Sequence, residues 1–120
     1  GPYSQANIIG DFVITSGQLP IDTDTGGFPE TIEEQTELSL RNLKAILESA
    51  GSSMDHVVKT TVFLSDMNDF MAMNRIYAKF FKEGAYPSRS AVEVARLPKD
   101  SLVEIEAIAY ILPSDNLNID

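Results

Sequence analysis

Two rhythms of apolar and polar positions run along this chain. The stretch "ANIIGDFVITSGQLP", residues 6–20, reads as two short strands joined at Gly10-Asp11, with Gly10 free to take the positive φ of a tight hairpin. A turn-rich segment follows, "IDTDTGGFPE" at 21–30. The rhythm then becomes helical. Ile32, Thr36, Leu40, Leu43, Ile46, Leu47 and Ala50 fall on one stripe and predict a helix over 32–50. Thr31 and Glu34 form a capping box at its start, and Gly51 sits where a left-handed residue closes it.

Beyond a short helical turn in "SSMDHVV", the segment "VVKTTVFLSD" is rich in β-branched residues and predicts a strand. Asp66 is placed to cap a second helix over 67–82, with the stripe Phe70, Met73, Tyr77, Phe80 and Phe81. Asn74 falls inside that stripe, where an amide is neither a good helix former nor cheap to bury. After "KEGAYP" come two more strands, 88–95 and 102–112, linked by "RLPKDS". The expected order is β-β-α-β-α-β-β: an α/β (α+β) domain over 1–112, with one mixed sheet, two helices on one face and a loose polar tail at 113–120.

The strands also bear on the other face of the sheet. In "LVEIEAIAYIL", Val103, Ile105, Ala107 and Ala109 lie on one side, and Leu102, Ile108 and Tyr110 on the other. A sheet with one face in water alternates more cleanly than this. The pattern predicts that the second face is buried between subunits of a closed oligomer.

Composition narrows the function classes. A chain of 120 residues is one domain with enough core to fold unstapled. With no cysteine there is no disulfide framework, thiolate nucleophile or cysteine-bound metal; a reducing, cytoplasmic setting fits. A net charge of −9 argues against nucleic acid and anionic membranes as partners. No apolar run approaches the length of a spanning helix, and the start has no basic segment followed by an apolar one that would read as a secretory signal.

A few residues stand out for chemistry. Arg89, between Pro87 and the apolar "AVEVA", is either a salt-bridged surface charge or a planar fork aimed at a carboxylate. Glu104 and Glu106 share one face of a largely apolar strand. They either bridge to Arg96, Lys99 or Lys59 or supply a carboxyl of tuned pKa for acid–base work. Asn74 could hold a loop, an interface or a ligand. Gly17, in "SGQ", allows either a bulge or a close approach, and Tyr3 suits a pocket rim as well as a core. The single His56 makes neither a metal site nor a Ser-His-Asp arrangement, and "TGG" lacks the context of a phosphate loop.

Five stretches taken in order, "GPYSQA" at 1–6, "SGQLP" at 16–20, "VVKTTVFLSDMNDF" at 57–70, "PSRSAVEVARLPK" at 87–99 and "VEIEAIA" at 103–109, resemble the RidA (YjgF-type) reactive-intermediate deaminase family. The resemblance implies a chorismate-mutase-like fold and a homotrimer with pockets at the subunit contacts. It implies hydrolysis of small carboxylate-bearing enamines and imines, such as 2-aminoacrylate and 2-iminopropanoate, to 2-oxo acids and ammonia, with no cofactor and no metal. It makes Arg89 the carboxylate clamp and Glu104 the residue that handles water. Tyr3, Ser16, Gly17, Asn74 and Ala91 match substrate-binding positions. Many relatives carry Cys or Thr where this chain has Ala91, so no thiol can be essential here. The rival expectations are a protein that binds a 2-oxo acid without turnover and, disfavoured by charge, a ribonuclease or translation inhibitor.

Overall fold

A computed structural model describes residues 1–111. The hairpin strands are β1 (Ala6–Ile9) and β2 (Phe12–Thr15), joined at Gly10-Asp11 with Gly10 at φ 57°. Helix α1 (Ile32–Ser49) starts where Thr31 Oγ1 accepts the Glu34 N–H at 3.1 Å, and Gly51 follows it at φ 87°. A 3₁₀ turn (Met54–His56) leads into β3 (Val57–Leu64). Helix α2 (Phe70–Tyr77), β4 (Ser88–Glu93) and β5 (Val103–Tyr110) complete the order β-β-α-β-α-β-β.

The second helix is shorter than its apolar stripe predicts. The Asp66 carboxylate accepts the Asn68 N–H at 2.9 Å and caps a 3₁₀ turn (Met67–Asp69), and a second such turn (Ala78–Phe80) follows α2. Phe80 and Phe81 therefore pack from the helix exit, not from the helix. The last two strands are also trimmed to the residues that find ladder partners. The tail expected at 113–120 lies outside the described residues.

The sheet order is β1-β2-β5-β3-β4, with β3 and β4 parallel and the other pairs antiparallel. Both helices cover one face. Leu40, Leu43, Leu47 and Met73 from the helices meet Val13, Val62, Leu64, Val103 and Ile105 from the strands in one core. Each such side chain contributes roughly 1.5–3 kcal/mol by leaving water.

Alternation puts Phe12, Ile14, Ile108, Tyr110, Phe63 and Val92 on the opposite face. Phe12, Ile14 and Val92 are each more than 40% exposed in the single chain. Lys59, Thr61, Glu104 and Glu106 share that face and divide its apolar residues into two patches, Phe12, Ile14, Ile108 and Tyr110 on one side and Phe63 and Val92 on the other. Exposed apolar patches of this kind mark contact surfaces.

Polar residues on the inner side of α1 tie the strand ends. Ser39 Oγ donates to Gln18 O at 2.7 Å in a buried site, and Gln35 Oε1 accepts the Leu102 N–H at 2.8 Å. Gln18 adjoins Gly17, and Leu102 lies two residues before Glu104, so one helix fixes both flanks of that pair.

Candidate active site

Arg89 stands on the edge strand β4, where its partner on β3 is Thr60. Both side chains point to the helical face, and Arg89 is half-buried there. Its Nη1 donates to Asn74 Oδ1 at 2.7 Å. Its Cζ lies 4.8 Å from the Tyr77 ring centroid and 5.4 Å from that of Phe70. Phe70, Asn74 and Tyr77 are spaced i, i+4 and i+7, so one face of α2 builds the whole seat. That spacing explains the amide inside the apolar stripe. Among the described residues no carboxylate pairs with Arg89; the ion pairs are Arg41–Glu37, Arg75–Glu33 and Arg96–Asp100. A guanidinium has five N–H donors in its plane, so rings against its faces leave the other edges to a ligand. Arg89, Asn74, Tyr77, Ala78, Tyr86 and Pro87 line an open cleft of about 430 Å³. Ala91 sits two residues further along β4 on the same face, packed against the core.

Glu104 belongs to the other face. It pairs in register with Phe63 of β3, whereas Arg89 pairs with Thr60, and Thr60 with the buried Ala107. The strand break at Ser16-Gly17 makes room for it. After β2 the chain rejoins the sheet only at Gln18, which bridges Ile105. A Cβ on Gly17 would stand 2.3 Å from Glu104 Oε1. The glycine leaves room for the carboxylate: what comes close at "SGQ" is the Glu104 side chain, not a backbone N–H or a ligand. Burial pushes the Glu104 carboxyl above its usual range, and the neighbouring Glu106 charge pushes the same way. Both glutamates lack ion-pair partners among the described residues: Arg96 binds Asp100 at 2.7 Å, and Lys59 Nζ donates to Ser90 Oγ at 2.9 Å. The proposed bridges to Arg96, Lys99 or Lys59 are therefore not formed.

The remaining candidates divide between these two places. Ser16 Oγ donates to Ser4 O at 2.6 Å, tying the segment that carries the exposed Tyr3 to the end of β2 near Gly17. Tyr3, Ser16, Gly17 and Glu104 thus form one group, and Asn74, Arg89 and Ala91 the other. Glu104 and Arg89 of one chain do not meet, since their side chains leave opposite faces of the sheet. His56 is remote from both groups, its ring edge-on to Tyr110 at 6.4 Å. Sequence reading saw Phe70 and Tyr77 only as core. Their spacing with Asn74 was the signal that could have marked them as the seat of a cation. Among the described residues no cluster could hold a metal ion, and no helix is long and apolar enough to cross a membrane.

A mixed five-stranded sheet under two helices, bearing an arginine with no ion-pair partner among the described residues and a glutamate with a raised pKa, defines a small α+β protein with two separate polar groups on one sheet. The family model described as Endoribonuclease L-PSP matches residues 1–111. A RutC family protein of Pyrococcus abyssi is 55% identical over 111 residues, covering 92% of this chain and 87% of its own. The 2-iminobutanoate/2-iminopropanoate deaminase of Salmonella typhimurium is 53% identical over 111 residues, covering 91% and 87%. The crystal structure of E. coli TdcF with bound serine superposes with a TM-score of 0.86 at 48% identity, covering 92% of this chain and 88% of that one. This chain belongs to the Endoribonuclease L-PSP family, in which the reactive-intermediate deaminases fall.

Proposed function

We infer that this protein is an enamine/imine deaminase, hydrolysing small imines that carry a carboxylate to 2-oxo acids and ammonia. One observation carries the reading: Arg89 is held by aromatic faces and an amide, with no acid among the described residues to neutralise it, beside an open cleft. In that setting the guanidinium grips a substrate carboxylate through two parallel charge-assisted hydrogen bonds and fixes the imine carbon in space. Glu104, with its raised pKa, accepts a proton from water as the oxygen bonds to the imine carbon. It returns that proton to nitrogen to give a carbinolamine, then carries the hydroxyl proton to nitrogen as well, so that the C–N bond breaks, the carbonyl forms and ammonia leaves. Imines already hydrolyse in water, so a few kcal/mol off the barrier, about 1.4 per tenfold, suffices.

The two groups leave opposite faces of one sheet, so a single chain does not close the site. The exposed Phe12, Ile14 and Val92 on the open face supply the reason to associate. In a homotrimer, Arg89, Asn74 and Ala91 of one protomer would meet Glu104, Gly17, Ser16 and Tyr3 of its neighbour. The net charge of −9 and the single histidine favour a small organic anion over RNA, despite the family's description.

The test is direct. A serine dehydratase reaction is run with semicarbazide, which traps residual imine. The trapped fraction should fall when this protein is added, and it should not fall with Arg89→Ala. Tight pyruvate binding with an unchanged trapped fraction would make the protein a 2-oxo acid binder instead.

A further inference from the structure

The ring beneath Arg89 is itself fixed. Tyr77 is 5% exposed, and its hydroxyl lies 2.7 Å from Oγ1 of the fully buried Thr60. Thr60 is also the residue that faces Arg89 across the β3–β4 ladder. A closed circuit results: backbone of Arg89 to Thr60, hydroxyl of Thr60 to Tyr77, ring of Tyr77 to the guanidinium of Arg89. Arginine carries a large rotamer entropy, which must be lost before its fork can grip a planar anion. A circuit that has already frozen the fork spares the ligand that cost.

We propose that Tyr77, tethered through its hydroxyl to Thr60, is a positioning residue that pre-orients the Arg89 guanidinium for a carboxylate. This rests on the reading of Arg89 as the carboxylate clamp. Tyr77 touches no reacting atom in this role. It sets affinity for the carboxylate through Arg89, and the tether, not only the ring, is needed.

A purely structural role for the two hydroxyls makes a different forecast, because each satisfies the other in a dry site. Removing one leaves its partner unpaired and lowers stability; removing both with isosteric groups largely relieves that loss. The variants are therefore Tyr77→Phe, Thr60→Val and the double variant. Each is read by calorimetric Kd for pyruvate well below its Tm, alongside the Tm itself. The expected result is a Kd raised roughly tenfold in all three, including the double variant whose Tm recovers. A wild-type Kd in the double variant, whatever its Tm, overturns the proposal, as does a wild-type Kd in Tyr77→Phe. Should Tyr77→Phe not fold, Thr60→Val breaks the tether from the other side and decides the matter. Arg89→Ala separates the two levels. If it binds pyruvate like wild type, the clamp reading itself has failed. If it loses binding while the Tyr77 and Thr60 variants bind normally, only the positioning role has failed.

Discussion

Replacing Gly17 by alanine adds a single methyl group at the seat of the candidate acid–base residue. That methyl would lie 2.3 Å from Glu104 Oε1, 2.7 Å from its Cδ and 2.9 Å from its Cγ. Ordinary contact begins near 3.4 Å, so the carboxylate must retreat by about 1 Å. The backbone at Gly17 lies outside the left-handed region, so alanine brings no φ strain. The disturbance is confined to the glutamate. Overpacking costs about 1–3 kcal/mol in a rigid core. A half-buried side chain that can rotate away places this case at the low end, and the stiffer unfolded chain returns roughly 0.4–1 kcal/mol. A Tm lower by only a few degrees is expected. Turnover should suffer far more, since a 1 Å misplacement of a reacting group can cost about a hundredfold. The assay is single-turnover imine hydrolysis under semicarbazide competition, with Kd for pyruvate measured in parallel. Retained pyruvate binding with a hundredfold slower reaction is the expected signature. Wild-type kcat in a folded Gly17→Ala protein would refute the placement of Glu104 as the group that handles water.

Glu104→Gln tests the same residue through stability. A carboxyl raised in the folded chain contributes stability below its ordinary value of 4.5 that is lost as pH rises through the folded pKa. The glutamine variant, which cannot ionise, should therefore melt higher than wild type at pH 7, with the difference closing as pH falls below 4.5. Equal Tm values at pH 7 would remove the argument for a destabilised carboxylate. Ile14→Asp tests the open sheet face: Ile14 is 41% exposed in the isolated chain, so a monomer should tolerate the charge. An assembly that buries the position should not, losing roughly 1.5–3 kcal/mol per copy in apolar burial alone. Light scattering should show dissociation, and an unchanged oligomeric mass would exclude this face from the contact.

The element order was legible because the chain's two periods, helical and alternating, agree with its caps and turns. Gly10, Thr31 and Gly51 mark ends that the structure keeps. What alternation could not supply was register. It made Glu104 and Glu106 neighbours on one face but could not say whether that was the face of Arg89. That depends on which residues of β3 oppose each strand, and so on a parallel crossover that no local pattern encodes. The second helix was overread for a related reason. Phe80 and Phe81 continue the apolar rhythm, but the chain leaves α2 through a 3₁₀ turn to reach the start of β4. The site was half legible. Arg89 stood out by its neighbours, whereas Tyr77 and Phe70 were hidden because an aromatic that seats a cation reads like an aromatic in a core.

Asn74 shows why the seat contains an amide and not an acid, and Asn74→Asp tests it by exchanging one NH₂ group for an oxygen. Aspartate keeps the oxygen that accepts from Arg89 Nη1 at 2.7 Å and adds a charge. The pair becomes a salt bridge, so the fold should be as stable as before or slightly more so. Binding should collapse. A substrate carboxylate on the free edge of the guanidinium would sit about 6 Å from the new one, and at an effective dielectric of 20 the two repel by roughly 3 kcal/mol. That corresponds to about a hundredfold in Kd for pyruvate. Asn74→Ala should weaken binding much less, because it removes an anchor without neutralising the clamp. The two variants thus separate geometry from charge. If Asn74→Asp binds pyruvate as tightly as wild type, Arg89 is not read by the ligand as a cation, and the reason for seating an arginine on aromatic faces in so acidic a chain disappears.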